Sequence, residues 1–188
     1  MQNPILTIPQ AADFLKAGKV IAYPTEAVYG LGCDPANEHA VRMILSLKNR
    51  SESAGLILIA DTFERFHSYV QPVASEQLAM AMATWPGPVT WLFPRASAVP
   101  DFLAGRHTTI ALRVTAHPIC RLLCAAFGGA IVSSSSNPGG APPATSPDEV
   151  ANYFAGNGHV AGVVEGALGD STRPSEIREL ATGRIIRA

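Results

Sequence analysis

Two polar sites stand at the ends of apolar segments: Lys48-Asn49-Arg50 after the stripe Val41, Ile44, Leu45, and Ser133-Ser134-Ser135-Ser136-Asn137 after Ala130-Ile131-Val132. Cationic forks together with hydroxyl and amide donors, set at the ends of core elements, are what a polyphosphate pocket requires. Lys48 lies seven residues after Val41 and four after Ile44, on the inward stripe of the predicted helix. Its ammonium is therefore expected in a cavity at the helix end. The plain alternative is a stem packed on the core with its charge snorkelling to water, favoured there by the helix dipole. Arg50, two residues on, would bring a second cation to the same mouth. Four serines and an asparagine cannot continue a buried strand without unsatisfied hydroxyls, so the strand is expected to stop at Val132. Hydroxyls there, with backbone N–H groups, would sit where α/β sheets hold ligands. The alternative is a polar surface turn led by Pro138-Gly139-Gly140. Ser134 and Ser136 point away from Ser133 and Ser135 along the chain and are expected to be structural.

The elements that must position these groups alternate between helix and strand. Helices are predicted at Pro9 to Ala17, Glu38 to about Lys48 (capped by Asn37), from Asp61 with Phe63, Phe66 and Val70, and from Ser75 with Leu78, Met82 and Trp85. Two more follow, from Pro118 with Leu122, Leu123 and Phe127 inside, and from the strong opening Ser146-Pro147-Asp148-Glu149. Strands are predicted at Val20–Tyr23, Leu56–Ala60, Val89–Phe93, Ile110–Val114, Ala130–Val132, Val160–Val164 and Arg184–Arg187. Gly139 to Pro143 is read as a mobile loop. No repeat or long linker divides the 188 residues, so one domain over 1–188 is expected: an α/β fold with a twisted mixed sheet and helices on its faces.

Composition excludes several classes. With 47% hydrophobic and 15% charged residues, the chain is globular rather than disordered. The apolar run Gly55 to Ala60 is too short to span a bilayer, and residues 1–7 carry no leader pattern, so a cytoplasmic location is expected. A net charge of −1 argues against coating nucleic acid by bulk charge, although Arg173, Arg178, Arg184 and Arg187 crowd the C-terminal end and read as a solvated face. Cys33, Cys120 and Cys124 form no CxxC pair and read as buried small residues. The five histidines lack ligand spacing, and no protein-bound metal is expected. Gly30-Leu31-Gly32 lacks the third glycine of a dinucleotide fingerprint; neither a P-loop nor a GxSxG elbow occurs. Glu26 and Asp34 are read as turn residues. Any catalysis should run through electrostatics and positioning.

Taken in order, these segments resemble the YrdC/TsaC family of threonylcarbamoyl-AMP synthases. The resemblance runs through Tyr23-Pro-Thr-Glu-Ala-Val-Tyr-Gly-Leu-Gly-Cys-Asp34, Lys48-x-Arg50, Gly55-Leu-Ile-Leu-Ile59, Trp85-Pro-Gly-Pro-Val-Thr90, Ala111-Leu-Arg-Val-Thr-Ala-His-Pro118, Ser135-x-Asn137 and Pro174-Ser-Glu-Ile-Arg178. It spans nearly the whole chain and looks like the short form of the family, with a YrdC-like fold. It implies a nucleotidyltransferase that joins L-threonine, bicarbonate or CO2, and ATP into threonylcarbamoyl-AMP and diphosphate. Threonylcarbamoyl-transfer proteins then carry the group to a tRNA adenosine. Mg2+ would arrive with ATP, and no organic cofactor is implied. By the same resemblance Lys48, Arg50 and Ser135 carry the catalysis. Together with Asn137, Thr109, Pro143 and Arg187 they hold ATP, while Thr25, Arg113, Ser133 and Ser175 line the threonine site. Ser51 stands where many relatives have proline, and Ala54 where a polar residue is common.

Two rivals remain at this level. One is an RNA-binding or ribosome-maturation factor that uses the same cleft without turnover, suggested by the C-terminal arginines. The other is a related acyl- or carbamoyl-adenylate enzyme with a different amino acid.

Overall fold

Strict two-residue alternation builds the centre of the molecule. In a computed structural model describing residues 3–154, 156, 158–171 and 173–188, the segment Val20–Pro24 is buried throughout. Val20 and Ala22 pack with Val41, Ile44 and Leu45 in one core; Ile21 and Tyr23 pack with Leu15, Leu123 and Cys124 in the other. Met1 and Gln2, at the start of the stretch read for a leader, lie outside the described residues.

Along the chain the elements are β1 (Ile5–Leu6), α1 (Ile8–Lys16), β2 (Val20–Pro24), β3 (Tyr29–Gly32), α2 (Glu38–Leu47), β4 (Ile57–Ala60), α3 (Ser75–Met82) and β5 (Val89–Pro94). They continue with α4 (Asp101–Ala104), β6 (Thr109–Val114), α5 (Pro118–Phe127), β7 (Ile131–Ser135), α6 (Pro147–Phe154), β8 (Val160–Val164), β9 (Glu176–Glu179) and β10 (Ile185–Arg187). The strands form one mixed sheet in the order β1-β8-β2-β3-β7-β4-β6-β5-β9-β10. Pairs such as β4–β6 run parallel, whereas β7 is antiparallel to both β3 and β4. Helices α1 and α5 pack together over β2, β8 and β4, and α2 and α6 contribute to the core on the opposite face. The expected α/β architecture with a mixed sheet is what the chain adopts.

Local chemistry explains the helix ends. Thr7 and Gln10 close a reciprocal capping box on α1, Asn37 accepts the Ala40 N–H at 3.0 Å to start α2, and Ser146 accepts that of Glu149 at 3.2 Å beside α6. Three expectations are corrected. Asp61 pairs with Arg65 instead of capping, and Phe63–Phe66 makes only a short 3-10 turn. On α5 the inward stripe is Cys120, Leu123 and Cys124, while Leu122, on the opposite side of the 3.6-residue turn, is 58% exposed. Strand β7 does not stop at Val132. It runs on through Ser135, because its backbone is paired by β3 and β4 while the hydroxyls of Ser133 and Ser135 face a cleft rather than the core.

Candidate active site

The cleft opens on the sheet face that α1 and α5 cover only in part. Registers place Ser133 beside Ile57, Ile57 beside Ala111, and Ser135 beside Gly30, so these residues share a face and form the floor. A side chain at Gly30 would lie 3.2 Å from Thr25 Cγ2, so the bare backbone keeps the floor open. The described residues between β8 and β9, among them Ser171, Arg173, Pro174 and Ser175, form one wall of the cleft. They are held there by the Gly169 and Ser171 N–H groups donating to the carbonyls of Thr25 and Glu26, each at 3.0 Å. The cleft has a cavity volume of ≈ 200 Å³.

The end of α2 aims the cations. Asn49 adopts φ +46°, its N–H donates to the Ser46 carbonyl at 3.0 Å, and the Arg50 N–H donates to the Leu45 carbonyl at 2.9 Å. This is a Schellman turn, and asparagine is among the few non-glycine residues that accept the left-handed position. It leaves Lys48 buried and sends Arg50 to the cleft. The Lys48 ammonium donates to the Ser135 carbonyl at 2.7 Å, to Ser135 Oγ at 2.9 Å and to Asn137 Oδ1 at 2.5 Å. Burial, helped by the nearby Arg50, lowers the Lys48 pKa to about 8. Ser135 Oγ donates to Asn137 Oδ1 at 2.7 Å, and Asn137 Nδ2 donates to the Ala141 carbonyl at 2.6 Å. That bond, with Tyr153 Oη donating to the Pro142 carbonyl at 2.9 Å, joins the Gly139–Pro143 segment to Asn137 and to α6.

Three guanidinium groups meet across the cleft. Burial, followed by the repulsion of Arg50 and Arg113, pulls the Arg187 pKa below the usual arginine value. Arg187 Nη2 donates to the Ser175 carbonyl at 2.8 Å, and Thr90 Oγ1 donates to Ser175 Oγ at 3.0 Å. Clustered arginines at the mouth of a partly dry pocket attract anions strongly. Arg113 stands 3.2 Å from Glu26 Oε2, and Thr115 Oγ1 donates to Glu26 Oε1 at 2.6 Å. Burial alone would raise the Glu26 pKa, but Arg113 and the Thr115 hydroxyl outweigh it and hold the carboxyl below its ordinary value.

Thr25, Arg50, Arg113, Ser133, Ser135, Pro143, Ser175 and Arg187 thus line one cleft. Thr109 lines an adjoining, more apolar recess that shares Arg50, Ile57 and Arg187 with it and adds Leu56, Ile110, Ile177 and Ile186. Lys48 and Asn137 stand behind the wall and reach it through Ser135. Ser51 caps the short turn 52–54, and Ala54 offers its carbonyl to Arg50 and lines the recess. Ser136 is fully buried, and Ser134 also borders the cleft. Sequence reasoning missed Glu26, Thr115 and Arg173. Asp34 does take the turn role, accepting the Ala36 N–H at 2.8 Å, whereas Glu26 enters the cleft. The one available signal was the place of Glu26 directly after Thr25. Of the C-terminal arginines, Arg173 and Arg187 are exposed yet line the cleft, Arg178 pairs with Glu176 and lies over Trp91, and Arg184 is exposed, as a solvated face expects.

Comparison with known proteins fits this geometry. A family model for Sua5, YciO and YrdC, described as telomere recombination, matches residues 13–188. The threonylcarbamoyl-AMP synthase of Pseudomonas putida KT2440 is 48% identical over 180 residues, covering 96% of both chains. That of Coxiella burnetii RSA 493 is 45% identical over 187 residues, covering 100% of both. The solved P. abyssi Sua5 complexed with L-threonine superposes with a TM-score of 0.86 at 31% identity over 98% of this chain. The chain spans about half of that longer protein, 55%. E. coli YciO shares the fold, with a TM-score of 0.83 at 24% identity.

Proposed function

The chain belongs to the Sua5–YciO–YrdC family, and from that premise we propose that it is a threonylcarbamoyl-AMP synthase, a nucleotidyltransferase acting on ATP and L-threonine. The observation that carries this reading is the single cleft in which Arg50, Arg187 and Ser135 stand beside Arg113, Ser133, Thr25 and Ser175.

In this reading Arg50, Arg187 and Ser135 hold the phosphates of ATP, with Lys48 supplying charge from behind Ser135 and Asn137. The base and ribose occupy the recess of Thr109, and Pro143 closes the nucleotide side. Arg113, Thr25, Ser133 and Ser175 hold threonine. Its amine, carboxylated by bicarbonate or CO2, presents a carboxylate oxygen to the α-phosphorus. That oxygen forms the new P–O bond as the bond to the bridging oxygen breaks, and diphosphate departs with the electron pair. The nucleophile is an anion already, so the protein's task is to align the reactants and neutralise charge on the equatorial oxygens. Mg2+ enters as part of the nucleotide substrate. The mixed anhydride product suits transfer by partner proteins to a tRNA adenosine, in the cytoplasm, from one domain spanning 1–188. Among the described residues no helix is long and apolar enough to cross a membrane. The RNA-binding alternative rested on the C-terminal arginines, of which Arg173 and Arg187 line the cleft and Arg178 is paired.

The test is to incubate the protein with labelled bicarbonate, L-threonine and MgATP and to separate the nucleotides. Label should appear in a threonine–AMP adduct, and Arg50→Ala should abolish most of it. Label confined to bicarbonate, with ATP intact, would overturn the reading.

A further inference from the structure

Among the described residues, Glu26 is the only acidic side chain lining the cleft, against Arg50, Arg113, Arg173 and Arg187. It is held firmly. Its carbonyl accepts the Ser171 N–H at 3.0 Å, Thr115 fixes Oε1, and the backbone at Gly169 packs so closely that a side chain there would meet the Glu26 Cα at 2.9 Å. The side chains of Glu26 and Arg113 are only 12% and 10% exposed. The two are close in charge but not aligned: at 3.2 Å the contact lacks hydrogen-bond geometry. Both Glu26 Oε2 and Arg113 Nε are buried without a hydrogen-bond partner. Left unmet out of reach of solvent, this donor and acceptor are costly, which favours a turn of the pair to meet a charged head group.

We propose that Glu26 and Arg113 form a paired reader of the amino-acid head group, with Arg113 taking the carboxylate and Glu26 the ammonium carried on the neighbouring carbon. This rests on the reading of the cleft as a threonine site and adds the residue that selects the zwitterion as it enters, before its ammonium loses a proton and is carboxylated. In an α-amino acid the two charges hang on adjacent atoms, as Glu26 and Arg113 lie side by side. A ligand with the carboxylate alone would set two anions on one guanidinium, with Glu26 repelling it. Glu26 therefore acts by specificity. It screens out hydroxy acids that four cleft arginines would otherwise attract.

The experiment compares binding of L-threonine and 3-hydroxybutyrate, which keeps the carboxylate and hydroxyl but lacks the ammonium. Calorimetry is run on the full chain and on Glu26→Gln, with ATP binding as the control for an intact cleft. The wild type should prefer threonine, and Glu26→Gln should lose at least about tenfold of that preference while binding ATP as before. An unchanged preference in a variant that still binds ATP overturns the proposal. If Glu26→Gln loses ATP binding too, Glu26→Asp replaces it: preference retained at weaker affinity supports the reader, and preference lost despite the retained charge overturns it. A wild type that binds ATP but not threonine would instead refute the threonine-site reading itself.

Discussion

Lys48 directs all three of its N–H donors at protein oxygens, so it serves the cleft by charge and by fixing Ser135 and Asn137. A neutral amine has two donors for those three acceptors. With its pKa lowered to about 8, the ammonium is lost as pH rises through that value. Turnover should fall along an alkaline limb near pH 8, and Lys48→Arg, which stays charged, should move that limb upward. The stability trend runs the other way. The folded value lies below the ordinary 10.5, so between about pH 8 and 10.5 the unfolded chain binds more protons, and Lys48 favours folding increasingly as pH rises. Melting curves and rates across that interval separate the two effects; an identical alkaline limb in Lys48→Arg would contradict the assignment. Arg50 is exposed at the cleft with no carboxylate partner among the described residues, and Arg50→Ala should cost about 10²–10³ in kcat with the melting temperature little changed. Lys48, Arg50 and the serines are legible because each follows an apolar run, whereas Arg113, inside β6, is reached only through the family resemblance. Glu26 is not, because its partners lie far along the chain, Arg113 in β6 and Thr115 just after it, and in sequence a carboxylate next to Thr25 reads equally well as a turn residue.

The elements carry the geometry that those side chains need. The left-handed turn at Asn49 sets Lys48 and Arg50 on different tasks within three residues. Asn49→Gly should preserve both stability and turnover. Asn49→Val should lose about 1–2 kcal/mol from the strained φ, read by denaturant unfolding, and turnover with it. A second contact joins α2 to the loop after β7: a methyl at Gly139 would fall 2.5 Å from the Lys48 carbonyl. Gly139→Ala should therefore push the serine wall from the helix end and depress turnover far more than stability; wild-type kinetics would show the join to be slack. Most long elements were readable from caps and periodicity. Strand β3 was not, since Tyr29-Gly30-Leu31-Gly32 carries two residues of low strand propensity. The partner ring explains them: a side chain at Gly32 would strike Tyr23 Cε1 at 2.5 Å. The serine half of β7 was missed for a related reason, because a strand can run polar where one face borders a cleft.

At the scale of the molecule, a chain of net charge −1 gathers Arg50, Arg113, Arg173 and Arg187 around one opening with Glu26 as their counter-charge. Such a cleft draws in polyanions and is indifferent to net-neutral zwitterions. Raising the ionic strength should lower kcat/KM for ATP steeply and that for threonine little; equal sensitivity would contradict this electrostatic division. The wall that the described residues between β8 and β9 supply explains why the site has no local signature: strands from both halves of the sheet and the last residues of the chain must all be in place before the cleft exists. The central claim is that this cleft adenylates carboxylated threonine. Its most direct test is diphosphate release from MgATP measured in mixtures that lack one component at a time. The account predicts release only when L-threonine and bicarbonate are both present. Equal release without bicarbonate, or with serine or glycine in place of threonine, would contradict it.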